Sequence, residues 1–311
     1  MKLAFLYAGQ GSQKVGMGQE FYDASPAFRK VYDNAPVDFG LKETCLADPQ
    51  GVLNQTEYTQ PCMTAFAVGV TALLREAGVA PAYAAGLSLG EYSALHCAGV
   101  FDAHTAISLT AFRGRAMTAA SLGVQSAMVA VLGLDVEAIR ACCAQASGLG
   151  VVEVCNLNCP GQTVIGGVQP AVLEAARLCG EAGAKRCMTL QVSGPFHTSL
   201  LTAAGLALRE KFREITFGEM QIPVLFNRLG DVMGPGDTIQ GLLEEQVSHA
   251  VRMEDTIRKL SEYGVDTVVE IGPGKALTGF VRKTCPDIRC FPVEKPEDLE
   301  KFLTAWKEAS L

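Results

Sequence analysis

Residues 86–90 have the sequence Gly-Leu-Ser-Leu-Gly, the G-x-S-x-G pattern that can place a nucleophilic serine on a sharp turn between a strand and a helix. Small residues before it predict a short strand over 82–85, and the segment after it predicts a helix over 91–99. A serine at that junction would be exposed by the turn and would lie at the positive end of the helix dipole. An ordinary helix N-cap gives the same pattern, so two interpretations of Ser88 stay open.

A nucleophilic serine needs a base, and the sequence contains four histidines. His96, His104 and His249 fall in or beside predicted helices, where structural or solvent-facing roles are expected. His197 lies in the loop Ser-Gly-Pro-Phe-His-Thr, which follows a predicted strand. Glycine and proline stiffen such a loop, which suits acid–base chemistry, although a capping histidine fits it equally. No Asp or Glu is an obvious partner, so a backbone carbonyl or an amide side chain is the alternative orienting group.

Two further residues suggest ligand contacts. Gln10 follows the first predicted strand, between Gly9 and Gly11, and ligands bind beyond the carboxyl ends of strands in open α/β sheets. The glycines allow a backbone N–H to point inward, but Lys14 replaces the last glycine of a dinucleotide-binding G-x-G-x-x-G. Arg113 lies in an apolar predicted helix, where it either meets a buried anion or extends to the surface.

These residues have to be positioned by an α/β body. The first strand is predicted over Leu3–Tyr7, and a long helix is predicted to begin at 59–61 and end before Gly78. Residues 124–191 have the order β-α-β-β-α-β, which is ferredoxin-like. Elsewhere strands alternate with helices, which favours a mostly parallel sheet covered on both faces. We therefore predict an α/β fold with a large catalytic domain, residues 1–123 and 192–311, and an inserted small domain, residues 124–191.

Composition excludes several function classes. The 311 residues are 49% hydrophobic, which predicts a sizeable core, and the net charge of -7 argues against nucleic acid as a partner. The sequence contains no run of 18 apolar residues, so no membrane span is predicted. The eleven cysteines form no C-x-x-C pattern and have no histidines at zinc-finger spacing, so no metal site is predicted. An odd cysteine count without a signal peptide predicts reduced thiols and a cytoplasmic protein.

Several short motifs occur together in one order, and they give the chain a resemblance to a known family. The sequence resembles the malonyl-CoA:acyl carrier protein transacylases of fatty acid synthesis, a family that includes acyltransferase domains of polyketide synthases. The resemblance covers essentially the whole chain and implies an α/β-hydrolase-like large domain with a ferredoxin-like small one. The motifs that carry it are AGQGSQ (8–13), GLSLGE (86–91), FRGRAM (112–117), NCPGQ (158–162), SGPFHT (193–198), EQVSHAVRM (245–253) and EIGPG (270–274).

The resemblance implies a catalytic role for five residues. Ser88 matches the nucleophile and His197 the base, a pair without the usual carboxylate. Gln246 matches the residue whose main-chain carbonyl orients the imidazole. Gln10 and Leu89 match the positions whose backbone N–H groups form the oxyanion hole.

It also implies how the substrate is held. Arg113 matches the residue that binds the malonyl carboxylate bidentately. Phe196 matches the malonyl-type pattern, and Met117, from the same motif as Arg113, is expected at the substrate. The implied reaction is ping-pong transfer of malonyl from malonyl-CoA to the phosphopantetheine thiol of acyl carrier protein, with no cofactor and a monomeric enzyme.

Three positions depart from the family pattern. Leu87 stands where a histidine is usual, Ala8 where a proline is common, and residues 250–252 are Ala-Val-Arg where Pro-Val-Arg is usual. Leu87 puts in doubt any substrate contact that the family histidine makes.

Other functions remain open at this stage. A serine hydrolase or thioesterase uses the same strand-turn-helix elbow. A polyketide-type acyltransferase would share the chemistry. The presence of both Ser88 and His197 argues against a non-catalytic carrier-binding subunit. Carrier proteins are acidic, so a local basic rim is required on this acidic chain. The basic candidates are Lys185, Arg186, Arg282 and Lys283. A role as ordinary solvated surface charges explains them equally well.

Overall fold

The computed structural model describes residues 1–309, which form a mixed α/β fold. Within these residues the strands are β1 (Leu3–Tyr7), β2 (Tyr83–Gly86), β3 (Ser126–Leu132), β4 (Val152–Cys159), β5 (Gln162–Val168), β6 (Arg186–Thr189), β7 (Val224–Leu225), β8 (Val251–Arg252), β9 (Thr267–Ile271) and β10 (Arg289–Val293). The α-helices are α1 (Gln19–Ala24), α2 (Pro26–Asp33), α3 (Leu41–Leu46), α4 (Thr56–Glu76), α5 (Gly90–Cys97), α6 (Ala103–Ser121), α7 (Val136–Ala146), α8 (Gln169–Glu181), α9 (Thr202–Phe212), α10 (Ile239–Gln246), α11 (Met253–Glu262), α12 (Ala276–Thr284) and α13 (Pro296–Glu308). Two 3-10 turns, Ser147–Leu149 and Ser199–Leu201, precede β4 and α9.

The larger sheet is parallel, with the strand order β10-β9-β1-β2-β7. β1 and β9 are buried along their whole length, as expected for strands with helices on both faces. Tyr7 is aligned with Gly86 and with Ile271, so these three strands end at one edge of the sheet. The predicted parallel α/β sheet is confirmed, and the loops at its carboxyl edge contain Gln10 and Ser88.

The second sheet has the order β6-β3-β5-β4-β8. β3 to β6 pair antiparallel in the order expected for the predicted ferredoxin-like unit, with α7 and α8 packed on one face. The two-residue strand β8 comes from outside residues 124–191 and pairs parallel with β4. This pairing links the small sheet to the large body. The predicted domain boundaries themselves stay a prediction.

Local capping explains several helix starts. The Ser25 side chain accepts a hydrogen bond from the Phe28 N–H, and the Asp102 carboxylate accepts one from the Thr105 N–H. The predicted start of α4 is wrong by three residues, since the helix begins at Thr56 and contains Pro61 as its sixth residue. Proline favours a first turn, but here burial of this segment in the core outweighs that preference.

No helix within residues 1–309 is both long and apolar enough to cross a membrane.

Candidate active site

Ser88 lies on a strained turn between β2 and α5. Its φ angle is 53°, in the left-handed region that residues with a side chain rarely adopt. Gly86 and Gly90 allow the turn, because a Cβ at Gly86 would overlap the Gly90 backbone and a Cβ at Gly90 would overlap the Tyr7 carbonyl oxygen. The turn leaves Ser88 only half-buried, with its hydroxyl at the carboxyl edge of the parallel sheet.

His197 contacts both Ser88 and Gln246. The Ser88 Oγ lies 2.7 Å from the His197 Nε2, and the His197 Nδ1 lies 2.8 Å from the Gln246 main-chain oxygen. A carbonyl oxygen only accepts, so the proton is on Nδ1 and the neutral ring accepts the Ser88 O–H at Nε2. Burial and the nearby Arg113 charge lower the pKa of His197 to about 4, against the opposing effect of the Gln246 hydrogen bond. At neutral pH the ring is therefore an unprotonated base in contact with the serine.

Arg113 is a fully buried cation that forms no ion pair with a carboxylate of residues 1–309. Its Nη1 donates to the Gln60 Oε1 at 2.8 Å, and its Nη2 donates to the Gln246 Oε1 at 2.8 Å and to the Ser88 Oγ at 3.1 Å. Its Nε has no hydrogen-bond partner in residues 1–309. Burial lowers the pKa of Arg113, yet a guanidinium stays charged at neutral pH.

The nearest acidic group does not neutralise this charge. Glu91 is fully buried, and burial raises its pKa to about 8 although the Arg113 charge opposes the shift. Burial thus disfavours the charged form of Glu91, which forms no ion pair with Arg113. The site holds a positive charge without an ion-pair partner in residues 1–309 beside the Ser88 hydroxyl, which favours an incoming anionic group.

Two backbone N–H groups beside Ser88 are available as donors. The described chain contains no acceptor for the N–H of Leu89 or for that of Gln10. The Ser88 N–H is occupied, because it donates to the Asn227 Oδ1 at 2.6 Å. The Gln10 side chain is held by Thr56, 3.0 Å away. Leu89 and Gln10 thus have the free donors that an oxyanion requires.

A cavity of about 160 Å³ lies over these groups, between the two sheets. Phe196 and Met117 line it, and the Met117 Sδ accepts a hydrogen bond from the Gln60 Nε2 at 3.4 Å. Leu87 lines it as well and contacts Gly9, where a Cβ would lie 2.6 Å from the Leu87 oxygen. The cavity is small and mostly apolar, with Arg113 as its charged group.

The structure brings together all the residues singled out for the site, and the backbone of His249 lies beside His197. His96 is buried, with its Nδ1 2.9 Å from the Phe101 oxygen, and burial lowers its pKa to about 4. His104 and His249 are exposed.

Gln60 and Asn227 also belong to the site, but no sequence pattern singles them out. The available signals were a polar side chain inside the apolar helix α4 and another two residues after the short strand β7.

Comparisons with known proteins agree with this geometry. Residues 4–300 match the family model of the acyl transferase domain. A Bacillus subtilis (strain 168) protein named malonyl CoA-acyl carrier protein transacylase is 38% identical over 310 residues, which cover 99% of this chain and 98% of that protein.

Two solved structures are similar over nearly their full length. The malonyl CoA-acyl carrier protein transacylase of Clostridium perfringens has a TM-score of 0.96 at 38% identity, over 100% of this chain and 98% of that one. A malonyl-transacylase, PlMCAT, solved in complex with the type II polyketide synthase acyl-carrier protein AntF, has a TM-score of 0.95 at 35% identity, over 98% of this chain and 100% of that one. By fold, by sequence and by the match over 4–300, this chain belongs to the acyl transferase domain family.

Proposed function

We propose that this protein transfers a malonyl group from malonyl-CoA to the phosphopantetheine thiol of acyl carrier protein, through an ester on Ser88. The observation that carries the proposal is the buried Arg113, whose guanidinium contacts the Ser88 hydroxyl and has no carboxylate partner in the described part of the chain. An acyl group that ends in a carboxylate would complete this site, while a neutral acyl group would leave the charge unpaired.

In the first half-reaction His197 Nε2 takes the proton of Ser88 as the Oγ attacks the thioester carbonyl. The N–H groups of Leu89 and Gln10 bind the developing oxyanion, and one such donor contributes about 3 kcal/mol to transition-state stabilisation. The tetrahedral intermediate collapses, the C–S bond breaks, and CoA leaves as a thiol with the proton from His197. The product is a malonyl ester of Ser88, with its carboxylate on Arg113.

The second half-reaction runs the same steps toward the carrier protein. Its phosphopantetheine thiol gives a proton to His197 and attacks the ester carbonyl. The intermediate again uses the two backbone donors. Ser88 leaves as a hydroxyl after taking the proton back, and the malonyl thioester of the carrier protein is released.

The names of the relatives support this assignment. The Bacillus subtilis and Clostridium perfringens proteins carry the name of this reaction, and a similar transacylase was solved with an acyl-carrier protein bound. Malonyl transfer of this kind supplies fatty acid biosynthesis. We further propose a monomer that acts without a cofactor. We also propose that it acts in the cytoplasm, in keeping with eleven cysteines that form no disulfide.

Mass spectrometry after exposure to malonyl-CoA tests the central step. We expect a malonyl adduct on the Ser88 peptide, and no adduct in Ser88→Ala. An unmodified Ser88 under conditions where the protein is folded would contradict the proposal.

A second measurement separates transfer from hydrolysis. The acylated protein is mixed with carrier protein, and malonyl-carrier protein and free malonate are quantified. Transfer predicts that carrier protein accepts the group faster than water does, and predominant malonate release would indicate a thioesterase. Carrier proteins of fatty acid and polyketide type, compared in the same assay, report which pathway the enzyme serves.

A further inference from the structure

One amide side chain closes the turn that presents Ser88. The Asn227 Oδ1 accepts a hydrogen bond from the Ser88 N–H at 2.6 Å, and the Asn227 Nδ2 donates to the Gly86 oxygen at 2.6 Å. The partners fix the orientation of the amide, because an N–H only donates and a carbonyl only accepts. A single buried carboxamide therefore spans both sides of the elbow.

The Asn227 carboxamide binds the turn at the point where its backbone is strained. Ser88 has a φ angle of 53°, and such a conformation of a non-glycine residue costs about 1–3 kcal/mol and persists only where the surroundings hold it. On the other side of the turn, the Ser88 main-chain oxygen accepts hydrogen bonds from the Gln246 Nε2 at 3.0 Å and from the Glu91 N–H at 3.1 Å. Both polar groups of the Ser88 backbone are thus fixed, and only the side chain is free to react.

Asn227 is itself fixed by elements on either side. Its N–H donates to the Glu91 Oε2 at 2.5 Å, and its carbonyl accepts from the Arg252 N–H at 2.9 Å. Glu91 lies in the first turn of α5, and Arg252 ends β8, the strand that pairs with the small sheet. The position of the nucleophile is therefore connected through Asn227 to both sheets.

We propose that Asn227 is a positioning residue, which holds the Ser88 turn so that Oγ faces His197. By occupying the Ser88 N–H it also leaves the Leu89 and Gln10 N–H groups as the oxyanion donors. This inference rests on the proposed function, since it needs Ser88 to be the nucleophile. It assigns no contact between Asn227 and the substrate.

The test compares Asn227→Ala, which removes both hydrogen bonds, with Asn227→Asp, which keeps the acceptor for Ser88 and can donate to Gly86 only in its acid form. Small misplacements of reacting groups lower rates by up to about 100-fold, so we expect a loss of roughly 10- to 100-fold in the rate of Ser88 acylation for Asn227→Ala. The loss should be smaller for Asn227→Asp. The KM for malonyl-CoA should change little, because Arg113 and the cavity are untouched.

Tyr32→Phe is the matched control for stability. It removes one buried hydrogen bond, from the Tyr32 Oη to the Met17 oxygen, in a helical cluster apart from the site. A purely structural role for Asn227 predicts that all three variants keep the wild-type acylation rate once folded. Hydrogen exchange of peptides spanning 86–90 should be faster in the Asn227 variants alone.

The outcomes separate this inference from the proposed function. Failure of wild-type Ser88 to form the malonyl adduct would overturn both. If the wild type forms the adduct and Asn227→Ala acylates at the same rate, only the positioning role is overturned. Where Asn227→Ala does not fold, the similarly sized Asn227→Leu decides in the same way, since it removes both hydrogen bonds and a wild-type acylation rate would contradict the positioning role.

Discussion

At the scale of single residues, the charge of Arg113 decides which acyl groups the site should accept. Its three hydrogen-bond partners are neutral, namely Gln60, Gln246 and Ser88. The protein keeps this cation buried and desolvated before substrate arrives, which is costly for folding but favourable for binding an anion. Selectivity for a carboxylated acyl group then comes from completing a charge pair, because the apolar cavity walls offer little discrimination by themselves.

Arg113→Ala should therefore invert the acyl preference. Truncating one partner of a buried charge pair costs about 2–5 kcal/mol, so malonyl transfer should fall by roughly 30-fold or more in kcat/KM. Acetyl transfer should be spared or increased. The measurement is kcat/KM for malonyl-CoA and acetyl-CoA. Arg115→Ala is the matched control, since Arg115 is exposed and lies 3.6 Å from Asp38. Unchanged malonyl transfer in Arg113→Ala would refute this role.

The His197 imidazole should stay neutral well below the ordinary histidine range. Burial and the Arg113 charge lower its pKa from 6.5 to about 4, so the base form is present above about pH 4 and is lost only as the pH falls through that value. NMR titration of the imidazole signal, assigned by its absence in His197→Gln, measures this directly. Arg113→Ala should raise the midpoint, because it removes one of the two lowering effects. A wild-type midpoint near 6.5 would contradict the structure.

The site residues differ in how visible they are in sequence. Ser88 and His197 stand in short local patterns, because a sharp elbow needs its glycines and a stiff loop needs its glycine and proline. Gln60 and Asn227 have no such pattern. Their roles depend on which backbone groups the tertiary fold places opposite them, and chain-local rules do not contain that information.

At the scale of elements, the elbow depends on how closely β1 approaches α5. A Cβ at Gly90 would overlap the Tyr7 carbonyl oxygen, so the glycine sets the distance between the loops that contain Ser88 and Gln10. The oxyanion donors on the two loops converge only at that distance.

Gly90→Ala should consequently reduce both stability and acylation. Overpacking in a dense interior typically costs about 1–3 kcal/mol, and the displaced donors should slow acylation further. Gly148→Ala is the control, because a Cβ at Gly148 meets no atom within 4 Å. Thermal melting and the rate of Ser88 acylation measure the two effects. Wild-type behaviour of Gly90→Ala in both would show that the close approach is unimportant.

Elements with a complete local signal were predictable, and those that depend on packing were not. β1 is found over Leu3–Tyr7 as expected, because a buried apolar run ends at a glycine turn. α4 starts three residues before its predicted beginning, since burial overrides the preference of Pro61 for a first turn. The two-residue strand β8 has no sequence signal, because its only reason to be a strand is the neighbouring edge of β4.

At the scale of the whole molecule, the net charge of -7 would repel an acidic carrier protein unless basic groups collect near the cavity. All four basic candidates, Lys185, Arg186, Arg282 and Lys283, are exposed. Two of them, Lys185 and Lys283, lie near the turn between β4 and β5, although they come from distant parts of the chain. The stem of Lys185 covers Gly133, whose N–H donates to the Gly161 oxygen. Burial raises the pKa of Cys159, and the nearby Lys283 charge opposes that rise.

Reversing both lysines, Lys185→Glu with Lys283→Glu, should weaken the carrier-protein reaction while leaving the chemistry intact. Exposed ion pairs contribute up to about 1 kcal/mol each, so the loss of two should raise the KM for carrier protein by up to roughly 30-fold. The effect should shrink with added salt, because these charges are screened. Acylation by a malonyl thioester of N-acetylcysteamine, which lacks the phosphates of CoA, should be unchanged and reports that Ser88 remains reactive. Lys30→Glu with Lys301→Glu, on the exposed faces of α2 and α13, makes the same change in net charge and serves as the control. Equal carrier-protein kinetics in the double variant and the control would eliminate this rim as the docking site and leave the carrier protein to bind elsewhere around the cavity.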